Sequence, residues 1–410
     1  MLIKDKHQES AVRNLINPPR KISVLTGGPG RGKTTMLKQI LEALQGTNKS
    51  MFGMNVLLCC PTGKGAKQMQ AAIPHSEPMT IHRMLGCQGP GEWTYNENNR
   101  IFGVDCVVCD EASMVGSRLL SRIIDGIDEK AKIILVGDAD QLPPVPAGSP
   151  FHDICARIKD PRVVNRLIVN FRQAEGSLIA DAADKILNKK SIKFGIPGQH
   201  ALGGSREDDL FFREIEDKEL IPDEVFQLCK GWAAKGEDYQ ILSPQHSGIA
   251  GVENLNKYLQ EKLNPASPKK RQKKVSAFLT LRTGDKVINK KNNYKLGIFN
   301  GFVGHIVRID SEGILIDFDG EKVMIEEQAD LRQIKLAYCL TIHASQGSEY
   351  QNGVVICHSS HYFMLSNSLI YVAVSRFKNK LYVVGNKKGL NRAIKNKKSN
   401  ERQTYLSDVL

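Results

Sequence analysis

Gly27, four free positions, and then Gly32-Lys33-Thr34 form a spacing that grips phosphate. The glycines of Gly27-Gly28-Pro29-Gly30-Arg31-Gly32 let backbone N–H groups curl round an anion, and the helix opened by Lys33-Thr34-Thr35 adds a favourable dipole. Lys33 has the reach for β- and γ-phosphates, and the Thr34 hydroxyl can sit on Mg²⁺. The alternative, an ordinary glycine-rich turn, is disfavoured by the full spacing. The stretch implies a bound nucleoside triphosphate, held by Gly28, Gly30, Gly32, Lys33, Thr34 and Thr35. Further along, Asp110-Glu111 supplies two adjacent carboxylates with separable roles. Asp110 can hold Mg²⁺, commonly through water, while Glu111 can orient and deprotonate an attacking water. A helix cap is the competing explanation, made less attractive by the phosphate loop upstream. Gln141 could sense a γ-phosphate, or could be a polar turn residue before Pro143-Pro144. Gln8, upstream of the loop, carries an amide suited to an adenine edge, though a solvated glutamine is commoner.

These residues need strands to present them. Ile22–Leu25 reads as a buried strand running into the phosphate loop, and Met1–Arg20 as a short helix before it. Asn55–Cys60, Val104–Cys109 and Lys132–Val136 read as further strands of an open α/β sheet, which gathers ligands at its carboxyl edge. Thr62 and Lys64 follow Asn55–Cys60, and Thr80 and His82 lie further along. All four could contact the phosphates of a nucleic-acid strand, or could serve as helix caps. Residues 86–103 break the rhythm: Trp93-Thr94-Tyr95 and Arg100-Ile101-Phe102 flank Asn96–Asn99, which suggests an inserted β-hairpin. Trp93 and Tyr95 would share one of its faces. Val163–Val169 is another β-rich run, and the βα pattern resumes at Tyr239–Gln245. Val252, Leu255, Tyr258, Leu259 and Leu263 mark an amphipathic helix. Pro265–Lys274 is a basic linker or loop tip, more readily explained as solvated than as a site. From Gly284 to Lys335 the chain is rich in short strands, with two-residue hairpin signals at Asn300-Gly301 and Asp319-Gly320. It reads as a small β-barrel inserted in a second α/β domain, whose sheet closes with Ala337–Ile342, Val354–Cys357 and Leu381–Val384.

The 410 residues carry a net charge of +13, an excess that favours a polyanionic partner, nucleic acid before membrane. No run approaches the ~18 apolar residues of a membrane span, and the N-terminal residues lack a signal-peptide core. Nine scattered cysteines suit buried thiols in a reducing cytoplasm. Cys106 and Cys109 resemble a metal-binding pair, but residues three apart on a strand face opposite ways, so a zinc site is rejected.

Taken in order, GGPGRGKTT, PTGKGA, TIHRML, CDEASM, GDADQLPPV, NFRQ, ILSPQHSGIAGVENLN, GDKVINKKNNYKLGIFNG, LTIHASQGSEY and LIYVAVSR resemble the motifs of superfamily 1 helicases of the RecD-like branch. The likeness runs nearly the full length, and the compact size is similar to that of small phage members. Arg31, where a small hydroxyl residue is usual, and Gly65, where alanine is common, depart from the pattern. The resemblance implies two RecA-like P-loop domains with ATP and Mg²⁺ between them. The first would span 1–167 with a hairpin wedge at 86–103, the second 168–274 and 336–410, with an SH3-like barrel at 275–335. It implies Arg172 and Arg376 as guanidinium groups for the γ-phosphoryl, Gly347 and Glu349 near the nucleotide, and Gln8 as adenine reader. Thr62, Lys64, Thr80, His82, Ser243, Thr341 and His343 fall on positions near single-stranded DNA, with metal contacts from Thr34 and Asp110. Trp93 would either lead a wedge at DNA forks or pack the hairpin against the body. The implied activity is ATP-driven 5′→3′ travel along single-stranded DNA by a cytoplasmic monomer, with replication or recombination proteins as partners.

Overall fold

A computed structural model describes residues 6–46, 53–89, 91–170, 176–196 and 209–396, which fall into two compact units divided between residues 170 and 176. The first is built on a six-stranded parallel sheet. Its spatial order is Met79–Thr80, Val56–Cys60, Cys106–Cys109, Lys132–Gly137, Ile22–Thr26, Val164–Arg166. Strands buried on both faces read as continuous apolar runs, as ISVLT, CVVC and KIILVG do. Cys106 packs with Leu25, Met36 and Val108 on one side of the sheet, and Cys109 with Val24, Val107 and Ile133 on the other. The helix Lys6–Ile16 buries Ala11 and Leu15 beside Met36 and Ile40 of the helix Lys33–Gln45.

The insertion expected at 86–103 differs in its pairing. Cys87–Gly89 pairs antiparallel with Glu92–Trp93, earlier in the chain than the flanking tripeptides suggest. Asn96 and Asn99 exchange backbone bonds of 2.9 and 3.1 Å across a tight turn, and Ile101 leaves to bridge Ile127. Four asparagine and glutamate residues in a row gave a strong turn signal but could not say which apolar residues it joined.

The second unit has a five-stranded parallel sheet. Its order is Cys339–Thr341, Tyr239–Ser243, Tyr350–Cys357, Phe377–Gly385, Leu210–Glu214. Leu210–Glu214 and the helices Leu178–Leu187 and Ile221–Lys235 fill a region that reads as irregular in the sequence. Between its strands lies a five-stranded antiparallel sheet, in the order Glu321–Ile325, Ile314–Phe318, Val303–Ile309, Lys286–Asn289, Ile334–Leu336. Asp319 and Gly320, at φ 54° and 92°, make the two-residue turn their sequence demands, with Phe318 opposite Glu321. Asn300-Gly301 is a turn but not a hairpin loop: Ile288 pairs with Val303, and the connection between the two strands holds the whole of 290–302. The basic stretch expected as linker contributes a strand, Gln272–Ser276, paired with Leu279–Arg282.

Candidate nucleotide site and nucleic-acid edge

The phosphate loop leaves the carboxyl end of Ile22–Thr26, an interior strand one in from the sheet edge. Gly30 and Gly32 adopt φ 73° and 79°, a left-handed geometry that glycine takes without a Cβ penalty. Gly32 is the cap residue of the helix Lys33–Gln45 and offers no side chain to its N–H groups, which leaves them for a ligand. Lys33 Nζ folds over the loop and donates to the carbonyls of Gly27 at 2.6 Å and Gly28 at 3.1 Å. Thr34 and Thr35 are exposed at the first turn. Arg31 has a structural answer that its sequence did not offer: its guanidinium donates to the Leu167 carbonyl at 3.1 Å, tying the loop to the end of the neighbouring strand.

Asp110 and Glu111 end the adjacent sheet strand but one, past Cys109. Glu111 sits at φ 53°, a region non-glycine residues rarely occupy, and its N–H donates to Asp110 Oδ1 at 2.8 Å. Burial and the neighbouring Glu111 charge push the Asp110 carboxyl up to about 7, against the pull of that N–H and of Lys33. A carboxylate so destabilised is one that a cation would rescue. Among the described residues no cluster of three or more His, Cys, Asp or Glu could hold a metal. Mg²⁺ at phosphate sites needs none, because one or two protein oxygens combine with phosphates and waters. The Thr34 hydroxyl and Asp110 carboxylate are hard oxygen donors of that kind, so the residues fit the ion.

Gln141 is buried beyond the strand Lys132–Gly137. Its Nε2 lies 3.5 Å from Asp138 Oδ2, and its Oε1 has no partner among the described residues. Ser113 Oγ is likewise buried and unpartnered. Buried polar atoms without partners are uncommon and point to a ligand or water. Sequence reasoning passed over Asp138, which turns Gln141, and weighed Ser113 only as a helix cap, which it does not make; their place in the motifs was the signal.

In the first unit Thr62 caps the helix Gly63–Ala72 by accepting from Gly65 N–H at 3.1 Å, and Thr80 accepts from Arg83 N–H at 3.1 Å. A Cβ on Gly65 would stand 3.2 Å from the Thr62 hydroxyl, so the missing methyl leaves the cap room. Lys64 lies on the first turn of that helix, half-buried. His82 stacks at a tilt on Trp93, with centroids 5.4 Å apart. Trp93 and Tyr95 are half-buried against the core of this unit. Gln8 lies on the helix Lys6–Ile16, one turn before Ala11. In the second unit Ser243 Oγ donates to the Ala250 carbonyl at 2.7 Å, and Thr341 accepts from Ala344 N–H at 3.1 Å. His343 is exposed, and Gly347 turns at φ 68°. Glu349 is ion-paired with Lys378. Arg376 is buried and donates to the carbonyls of Val372 (3.1 Å) and Ser348 (3.2 Å) and to Ser375 Oγ (3.0 Å). Arg172 lies outside the described residues.

A parallel sheet with this loop, carboxylate pair and glutamine defines a nucleotide-using P-loop protein. Residues 4–195 match the AAA domain family, 255–318 the SH3 domain of ATP-dependent RecD-like DNA helicases, and 336–384 the UvrD-like helicase C-terminal domain. These matches, with the relatives that follow, make the chain similar to RecD-like helicases. The ATP-dependent RecD2 DNA helicase of Deinococcus radiodurans is 31% identical over 89% of this chain, which spans about half (47%) of that relative. The RecBCD enzyme subunit RecD of Buchnera aphidicola (subsp. Schizaphis graminum) is 25% identical, with 94% of this chain and 73% of the relative covered. Among solved structures, the Pif1 helicase from Bacteroides in complex with ADP-AlF3 and ssDNA aligns with a TM-score of 0.58. It covers 99% of this chain and 96% of that one at 20% identity. The Pif1 helicase from Candida albicans gives 0.54 at 19% identity, covering 94% of each chain. These structures share the fold. No helix among the described residues is long and apolar enough to cross a membrane.

Proposed function

We propose that this chain hydrolyses ATP to move along single-stranded DNA, 5′ to 3′, and to separate duplex strands at forks. The observation that carries the reading is the convergence at one sheet edge of the glycine loop with Lys33, the Asp110-Glu111 pair and Gln141. A RecD-type SH3 segment and a helicase C-terminal segment follow in the same chain. Lys33 would leave its carbonyl partners for the β- and γ-phosphates. Thr34 and Asp110 would hold Mg²⁺, which neutralises charge on the phosphates. Glu111 would take the proton of the attacking water, with Gln141 reporting the γ-phosphate. Arg172 and Arg376 are the proposed guanidinium groups for charge on the transferred phosphoryl, an effect typically worth ~10³–10⁵ in rate. Gln8, Gly347 and Glu349 are assigned to the base and ribose. Thr62, Lys64, Thr80, His82, Ser243, Thr341 and His343 are assigned to the strand, Thr62 and Thr80 partly through the helix starts they cap.

The polarity follows from the family reading. Tailed duplexes test it: with ATP and Mg²⁺, a 5′ tail should support unwinding and a 3′ tail should not. Unwinding from a 3′ tail alone would refute the assignment, and removal of Mg²⁺ by a chelator should stop turnover. The Pif1 relatives are described on single-stranded and forked DNA, which supports those substrates here. A working monomer in the cytoplasm, serving replication or recombination partners, completes the reading.

A further inference from the structure

We propose that the second unit carries a base-stacking platform, Tyr362-Phe363-Met364 beside the helix Lys387–Lys395, which extends the single-strand track past Ser243; it rests on the DNA-translocase reading above.

The placement comes from the sheet. Ser243 ends the strand Tyr239–Ser243, whose neighbour Tyr350–Cys357 runs parallel with Leu242 opposite Val355. Ser243 therefore stands beside Ile356 at one strand spacing, ~4.8 Å, and Cys357 ends its strand one residue further on. From Cys357 the chain passes through His358 and the short turn Ser359–His361 straight into Tyr362. The next strand, Phe377–Gly385, ends opposite Cys357 and leads through Asn386 into Lys387–Lys395. Thr341, Ser243, the aromatic loop and the start of this helix thus share one edge of one sheet.

Tyr362, Phe363 and Met364 are 40%, 95% and 41% exposed, three large apolar residues in succession. Their exposure is built, not frayed. Asn386 Oδ1 accepts from Ser359 N–H at 3.1 Å, and Asn396 Nδ2 donates to the Leu365 carbonyl at 2.7 Å. His358 bonds Ser360 Oγ and the Glu216 carbonyl, and Leu365 is buried immediately after the exposed run. The Arg392 guanidinium lies 4.2 Å over the Tyr362 ring, and Phe363 meets Tyr362 edge-on.

Lys388, Arg392 and Lys395 recur at helical spacing and so line one face, with the middle residue on the tyrosine. Lys387 is taken up by Glu214 at 3.1 Å, while Lys388 and Lys395 are exposed. Flat rings flanked by cations along a strand's path are how single strands are gripped without regard to sequence. An acidic, aromatic peptide would find similar chemistry. The shared edge with Ser243 and Thr341 favours nucleic acid.

Fluorescence anisotropy with oligothymidylates graded in length tests this on the full chain. Phe363→Ala should bind the longest oligonucleotides about tenfold more weakly, the ~1.4 kcal/mol of one lost stack. Short oligonucleotides should bind it as they bind the wild type, and Phe363→Trp should restore the long-oligonucleotide affinity. Abasic residues along the flank that reaches the platform should cost the wild type the same factor and the alanine variant nothing. A side chain so exposed leaves the fold intact, which an unchanged melting curve would verify. Equal affinity of Phe363→Ala and wild type at every length overturns the proposal. So does Phe363-dependent binding of an acidic aromatic peptide that DNA fails to displace. Failure of the wild type to bind any oligonucleotide would overturn the parent reading as well.

Discussion

Glu111 is asked to do two incompatible things. Its backbone stands in left-handed space, which costs a side-chain-bearing residue roughly 1–2 kcal/mol, and its charge raises Asp110 toward neutrality. Neither helps the fold. Strain held at a carboxylate beside a phosphate loop is better understood as positioning for chemistry. Glu111→Gly should therefore raise the unfolding free energy by about 1 kcal/mol in denaturant titration while ATP turnover falls ~10²–10⁴-fold, the usual share of a general base. A stability loss would remove the strain argument, and retained turnover would remove the base role. Lys33→Ala should abolish hydrolysis and weaken nucleotide binding while leaving binding of single-stranded DNA in place. Turnover persisting in that variant would rule out the phosphate loop as the catalytic cradle. The loop was legible because glycine spacing constrains backbone geometry directly. Arg31 was not, because its carbonyl partner at Leu167 lies 136 positions away and no local pattern announces it.

Elements whose pattern is local came through from sequence with little loss. The helix expected from Val252, Leu255, Tyr258, Leu259 and Leu263 spans Val252–Leu263, and the strands beside the phosphate loop shift only at their ends. The hairpin did not, since a turn signal fixes where the chain reverses and not which residues pair. Its real strands put Trp93 at the base, half-buried and tilted over His82, which follows the Thr80 cap. That contact ties the hairpin to a segment assigned to the DNA strand, and it gives Trp93 two separable outcomes. If the hairpin splits duplexes, Trp93→Ala should slow strand separation several-fold and leave single-strand-stimulated ATPase near its normal rate. Loss of both together would mean that the ring only holds the hairpin to the body. The capping hydroxyls illustrate a second limit. Thr62, Thr80 and Thr341 each bond a backbone N–H three residues on, so cap and strand contact are not exclusive alternatives. A capped helix start still aims its remaining N–H groups outward.

At the scale of the molecule, the antiparallel sheet reads in sequence as a separate barrel at 275–335, yet its core is not separate. Val287, Ile306 and Ile316 from that sheet bury in one cluster with Ile241, Leu255 and Val354 of the α/β layer. The SH3 match likewise begins at residue 255, inside the helix Val252–Leu263, rather than at the first antiparallel strand. Asp285 pins the junction. Fully buried, it accepts from Gln260 at 2.6 Å, Asn264 at 2.7 Å, Tyr338 at 3.0 Å and the Arg282 N–H at 2.7 Å. Burial, and then the Asp285 charge, push the Tyr338 phenol far up, so it stays a donor. These partners come from the helix, the paired strand and the chain returning to the parallel sheet. Asp285→Ala strands several buried donors at ~1–3 kcal/mol each, so a loss of at least ~3 kcal/mol is expected. If insert and α/β layer are one cooperative body, hydrogen exchange in the variant should quicken together in Val303–Ile309, Ile314–Phe318 and Tyr239–Ser243. Faster exchange confined to the antiparallel strands would instead mean a module that folds on its own, and the shared core would then carry little of the unit's stability.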